Sequence, residues 1–299
     1  MKRNKSIESY KIVFLIIDGW GIYESYGGNA IALAPTPVFN KLVKEYPATA
    51  INTAVNFGPS KNFHSRCESG HYILGGLSGS HSGGRQGLIK NFLDAGKRVL
   101  IVAESERYAQ MAHYFCHGDL SHEENFESCM ISSPKLDSYK EYPELSAAKV
   151  IDKICKAVNS EKYDLVAGSL ANPDMLAHTG DLEATSQAVA VVDKLLRKVL
   201  KACLNRKNIL VISSDHGNAE YMLDKRGNKP HLGHTDNPVP FILVGPGYEG
   251  RNIGWPDVIG DDLSTTKTSG NIADVAPTLL HLAGLAAPPG LRGRSLINN

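Results

Sequence analysis

Five short apolar runs rich in β-branched residues constrain this chain more than any other feature. They are residues 12–17, 98–103, 164–170, 208–213 and 240–244. Their apolar character is continuous rather than alternating, so both faces of each strand must meet hydrocarbon. That is the condition inside a parallel sheet covered on two sides. Between the runs the apolar period lengthens to three and four residues. The clearest case is 182–204, where Ala188, Val191, Val192, Leu195, Val199 and Cys203 share one helical stripe. Residues 146–158 and 275–283 are shorter helical candidates. This alternation predicts an α/β fold, a doubly wound and largely parallel sheet with helices on both faces.

With 299 residues, 42% of them hydrophobic and 21% charged, the chain can bury a sizeable core, and 1–299 reads as one domain. One stretch departs from the pattern. Residues 75–87 (GGLSGSHSGGRQG) are Gly/Ser-rich without periodicity and read as a flexible connector. A formal net charge of +1 argues against a nucleic-acid partner and against attraction to anionic membranes. The five cysteines (Cys67, Cys116, Cys129, Cys155, Cys203) are odd in number and lack C-x-x-C spacing, which predicts free thiols in a reducing compartment. The first ten residues carry no apolar signal-peptide core, and run 12–17 is too short to span a bilayer. A cytoplasmic location is therefore expected.

The acidic and histidine residues fall at particular places along this frame. Asp18 follows the first run, Asp174 and His178 follow the third, and Asp215 and His216 follow the fourth. His234 stands just before the fifth. In open parallel sheets, ligands bind outside the carboxyl ends of the strands. A single Asp-Gly after a strand is usually only a turn. Three carboxylates and three imidazoles converging on one edge are different, because they would form an unpaired polar cluster unless metal sat among them. Mixed oxygen and nitrogen donors suit Zn²⁺ or Mn²⁺ better than Ca²⁺. Six ligands exceed the needs of one four-coordinate ion, so two divalent ions sharing them are expected.

The longer motifs around these residues are DGWG, GNAIALAPTPVFNKL, ESERYA, ISSPK, NPDMLAHTG, SDHGNAE, HTDNPVP, IADVAPTLLHLAG and GRSL. In this order, over nearly the whole chain, they resemble the cofactor-independent phosphoglycerate mutases of the alkaline phosphatase superfamily. The resemblance implies an alkaline-phosphatase-like core and a small phosphorylated substrate. It implies that Asp174, His178 and His234 hold one metal, and that Asp18, Asp215 and His216 hold the other together with the nucleophile.

The chain also departs from that family in two respects. The family's inserted transferase domain, which supplies most substrate-gripping arginines, has no counterpart between Gly70-His71 and the run at 98–103. Without a closing domain water should reach the site, which favours hydrolysis over mutase chemistry. The family's Asn-Ser-Glu-Val-Gly-His stands here as Arg66-Cys67-Glu68-Ser69-Gly70-His71, placing Cys67 where the serine nucleophile belongs. Three readings stay open. Cys67 itself ligates metal and attacks phosphorus, since a thiolate forms readily beside cations. Alternatively Ser69, Ser65 or water takes the role, or phosphoryl transfer is lost and a metal-binding remnant acts by binding, with a protein as its partner. A mutase completed by another chain is a further alternative. Arg107 stands where the family has Lys, so a substrate contact is implied there, against the plainer alternative of a surface salt bridge.

Overall fold

The computed structural model of the chain describes residues 9–54, 66–76, 87–224, 229–258 and 261–297. Eight strands form one sheet: β1 (Ile12–Ile17), β2 (Ala48–Asn52), β3 (Val99–Glu104), β4 (Phe126–Ile131), β5 (Leu165–Leu170), β6 (Ile209–Ser213), β7 (Val239–Val244) and β8 (Gly270–Asn271). Their spatial order is β4-β3-β5-β1-β6-β7-β2-β8. β1 lies between β5 and β6 and pairs in parallel with both, Ile12 facing Leu165 on one side and Ile209 on the other. β3 runs parallel to β4 and β5, while β7 runs antiparallel to both β6 and β2.

All six residues of β1 are buried, as its uninterrupted apolar sequence requires. Its pleat sends Val13, Leu15 and Ile17 to one core and Ile12, Phe14 and Ile16 to the other. Helices Pro37–Glu45, Ala147–Ser160 and Leu182–Asn205 cover the first face. Leu88–Asp94, the π-helical turn Gln110–Phe115 and Val275–Leu282 cover the second. The doubly wound α/β architecture is therefore present, with β7 as an antiparallel exception near one end.

Two polar contacts fix the longest helix and its neighbour. Asp181 caps Leu182–Asn205, its side chain accepting from the Ala184 amide at 3.0 Å, an arrangement worth about 1 kcal/mol. Helix Pro37–Glu45 begins with proline, and Thr36 makes no side-chain cap. Asp193, buried on the long helix, replaces that cap by accepting from the Val38 and Phe39 amides at 3.1 and 2.7 Å.

The five expected strands stand within one residue of their expected bounds, and the three helices within two. β2, β4 and β8 have no counterpart among the five apolar runs. Of the Gly/Ser-rich connector, Gly75, Gly76 and Gly87 are described, and the remainder (77–86) lies outside the described residues. Among the described residues, no helix is long and apolar enough to cross a membrane.

Candidate metal centre

The parallel strands deliver their following residues to one edge of the sheet. Asp18 leaves β1, Asp174 and His178 leave β5 through the short helix Asn172–Ala177, and Asp215 and His216 leave β6. β7 runs the opposite way, so its beginning lies at that same edge, and His234 arrives from the chain before it. Two glycines permit the close approach. Gly19 has φ +74°, and a Cβ there would lie 2.9 Å from the Asp174 backbone. At Gly70 a Cβ would lie 2.6 Å from the Asp215 carbonyl oxygen, so only glycine lets helix Arg66–Leu74 pack against the β6 loop. That helix then presents Cys67 and His71, one turn apart, to the same edge.

The donors gather in two groups. Asp174, His178 and His234 make one, and Asp18, Cys67, His71 and Asp215 make the other. In the first, Nε2 of His178 and Nε2 of His234 each lie 3.3 Å from an Asp174 carboxylate oxygen, and 2.9 Å from each other. His178 Nδ1 lies 2.8 Å from the Leu232 carbonyl, which can only accept, so Nδ1 carries the proton and Nε2 keeps its lone pair. The His178 lone pair and the Asp174 carboxylate thus face the same point as His234 Nε2. In the second group, Asp215 Oδ2 is buried without a hydrogen-bond partner, and so is His71 Nε2. Both nitrogens of His216 are likewise unpartnered. Polar atoms so buried are costly unless a cation or a proton satisfies them, and the donor set fits divalent metal.

His216 stands between the groups. Its Nε2 lies 3.0 Å from Asp215 Oδ2, its Nδ1 4.0 Å from Asp174 Oδ1, and its ring stacks on His234 at 3.7 Å between centroids. Arg107 is 7% exposed and sits inside the cluster. Its Nε donates to Asp18 Oδ2 at 2.6 Å, and a terminal nitrogen donates to Asp174 Oδ2, so one guanidinium joins both groups. Cys67 is buried, with Sγ 3.8 Å from His71 Nδ1.

Charge and burial pull these groups in different directions. Burial, with the charge of Asp215, pushes Asp18 up to about 6. Burial would raise Asp174 too, but His216, His178, His234 and Arg107 together hold it well below the carboxylate range. His216 goes up to about 9 because Asp215 and Asp174 overcome the effect of burial. Burial and the charge of Asp215 push the Cys67 thiol well up.

Four further residues support the cluster and were not anticipated as functional. His71 is one. Ser169, inside β5, donates to Asp18 Oδ1 at 2.8 Å. Asn218 donates from Nδ2 to Asp174 Oδ1 at 2.7 Å. Glu220, fully buried, accepts from the Asn218 amide at 2.7 Å, from Asn237 Nδ2 at 3.0 Å and from the Thr235 hydroxyl. It thereby ties the loop after β6 to the loop that carries His234. The SDHGNAE segment held the only sequence signal for Asn218 and Glu220.

An eight-stranded, mostly parallel sheet with paired cation-ready clusters at its edge defines a metalloenzyme core. The chain belongs to the metalloenzyme superfamily, whose family model matches residues 10–287. It is related to the 2,3-bisphosphoglycerate-independent phosphoglycerate mutases. It is 41% identical over 204 residues to that enzyme of Synechococcus sp. (strain JA-2-3B'a(2-13)), covering 68% of this chain and 37% of the relative. The Clostridium perfringens (strain SM101 / Type A) enzyme is 37% identical over 203 residues, with the same coverage. The chain thus spans little more than a third of the length of these relatives. In fold it resembles the phosphoglycerate mutase of Leishmania mexicana (TM-score 0.62, 24% identity, 71% of this chain and 39% of that one). It also resembles the alkaline phosphatase of the Antarctic bacterium TAB5 (TM-score 0.62, 12% identity, 93% of this chain and 99% of that one).

Proposed function

We propose that the chain is a divalent-metal-dependent enzyme of phosphoryl transfer, and specifically a hydrolase of small phosphate monoesters. The observation that carries this reading is the pair of adjoining donor clusters with Cys67 buried in one of them. Asp174, His178 and His234 would hold one ion. Asp18, Asp215 and Cys67, with a neighbouring imidazole, would hold the other. Mn²⁺ or Zn²⁺ bound there would neutralise charge on the phosphoryl oxygens and on the leaving oxygen.

The chain's own groups do the rest. Cys67 Sγ attacks phosphorus, the S–P bond forming as the ester O–P bond breaks and the alcohol leaves with a proton from solvent. Water then cleaves the S–P bond, releasing phosphate and restoring the thiol. With its thiol pushed up by burial and by Asp215, Cys67 reaches the thiolate form only opposite a cation. A cavity of 440 Å³ lined by Arg66, Ser69, Gly70, Asp215, His216 and Thr235 admits a small monoester. We read 1–299 as one metalloenzyme domain, in which the cavity beside Asp215 and His216 is reached by water. The five unpaired thiols support a cytoplasmic setting. The even charge balance supports a small-molecule substrate over a nucleic acid or membrane.

The same raised thiol also favours a second reading, a metal-binding protein without catalysis, acting on a protein partner. Phosphate release from a broad monoester panel with added Mn²⁺ or Zn²⁺ separates the two. Release that Cys67→Ala abolishes supports the hydrolase, whereas metal-loaded protein releasing none leaves the binding protein.

A further inference from the structure

The cavity beside Asp215 and His216 is also lined by Thr53, Arg66, Ser69, Thr235 and Asp236. The three hydroxyls among these have already committed their protons to the protein. Thr53 Oγ1 donates to the Asn237 carbonyl at 3.2 Å, Ser69 Oγ donates to the Arg66 carbonyl at 2.8 Å, and Thr235 Oγ1 donates to Glu220. What each has left for a ligand is an acceptor. Among the described lining residues outside the metal centre, the charged groups are one guanidinium, Arg66, and one carboxylate, Asp236.

These two are paired, a terminal nitrogen of Arg66 donating to Asp236 Oδ1. Their side chains are 48% and 63% exposed, and a pair so open to water holds weakly, so a ligand separates or shares it at little cost. Asp236 also leaves most N–H donors of the guanidinium fork unused. Position along the chain ties the pair to the centre. Arg66 immediately precedes Cys67, and Asp236 follows His234 by two residues.

An ester whose phosphoryl group lies at Asp215 and His216 presents its alcohol portion to this wall. An alcohol carrying only a carboxylate is drawn to Arg66 and repelled by Asp236. One carrying only an ammonium meets the reverse. An alcohol with both charges is matched at both groups, and its ammonium also supplies N–H donors to the waiting hydroxyl oxygens. We propose that Arg66 and Asp236 are the specificity-determining pair of this cavity, and that they select phosphate monoesters of zwitterionic amino-acid alcohols. The carboxylate lies on Arg66, and the ammonium on Asp236 and the hydroxyl acceptors. This assignment rests on the hydrolase reading above, whose site it shares.

The test compares kcat/KM of the Mn²⁺-loaded, full-length protein for three esters of similar size. O-phosphoserine carries both charges, 3-phosphoglycerate the carboxylate alone, and O-phosphoethanolamine the ammonium alone. O-phosphoserine should lead each of the others by about 10-fold, the scale of one charged hydrogen bond at an open site, with the difference in KM. Asp236→Asn should weaken O-phosphoserine and O-phosphoethanolamine by about that factor and improve 3-phosphoglycerate. Arg66→Met should weaken O-phosphoserine and 3-phosphoglycerate and improve O-phosphoethanolamine. A pair with a structural role alone would not give such opposite responses. The proposal is overturned if either singly charged ester matches O-phosphoserine, or if the substitutions shift all three esters alike. If no ester releases phosphate, the hydrolase reading fails by itself. Calorimetric affinities of the same three esters for the metal-loaded protein then decide, the same order supporting the pair's role and equal affinities overturning it.

Discussion

Glu220→Gln is the most direct probe of how the centre is held together. Asn218 N–H and Asn237 Nδ2 can only donate, and they meet different oxygens of Glu220, Oε2 at 2.7 Å and Oε1 at 3.0 Å. Gln offers one oxygen and one NH₂ in their place. If the NH₂ takes the Oε2 position it faces the Asn218 amide, donor against donor. If it takes the Oε1 position, Thr235 can turn to accept, but Asn237 cannot. Either orientation loses one hydrogen bond to Glu220 and leaves a buried or half-buried donor unpaired, at a cost of roughly 2–4 kcal/mol. For 299 residues the unfolding entropy is about 0.6 kcal/mol/K, so Tm should fall by about 3–6 °C. Asn218 also supports Asp174, so affinity at the Asp174–His178–His234 cluster should drop about 10–100-fold. Differential scanning calorimetry and Mn²⁺ titration read the two effects. A Tm within about 1 °C of wild type, with unchanged affinity, would falsify the view that Glu220 pins the two loops.

The other expectations concern metal, Arg107 and Glu104. Chelation should lower Tm, since ion at 100 times its Kd contributes about 2.7 kcal/mol; an identical melt with EDTA would count against metal loading. Arg107→Met strips a buried partner from Asp18 and Asp174 and should cost about 3–5 kcal/mol in metal-free protein. The loss should be smaller with Mn²⁺ present, and equal losses in both melts would contradict the shared role of those carboxylates. Burial pushes Glu104 up to about 6 from 4.5. Its contribution is fully present below about pH 4.5 and is lost as pH rises through about 6, totalling about 2 kcal/mol. Gln keeps the acceptor used by the Ser146 amide and Ser133 hydroxyl, so Glu104→Gln should gain about 2 kcal/mol on wild type between pH 4 and 7 in urea melts. A constant difference would refute it.

The parts legible in the sequence were those written as local pattern. β1, β3, β5, β6 and β7 are buried at every position, so their runs are almost continuously apolar, with Ser169 the polar exception inside β5. β4 is an edge strand of alternating partial burial, and β8 has two residues, too few to carry a period. Convergence of Asp18, Asp174, His178, Asp215, His216 and His234 on one edge was readable because each flanks a strand. The antiparallel run of β7 explains why His234 comes before its strand while the others follow theirs. His71, Ser169 and Glu220 gave no such signal, because their importance lies in which buried atom they face. Burial rules out the surface salt bridge for Arg107, and its place between Asp18 and Asp174 depends on three segments meeting.

The central position of β1 also has a consequence for biosynthesis. This strand is made first, yet its two neighbours are β5 and β6. About 190 further residues must leave the ribosome before both its edges are paired, which takes on the order of 10–40 s at 5–20 residues per second. Through that interval a wholly apolar hexapeptide with two open edges waits in the nascent chain, available to any other strand that passes. A chain with this strand order should lean on chaperones during synthesis more than its ordinary composition suggests.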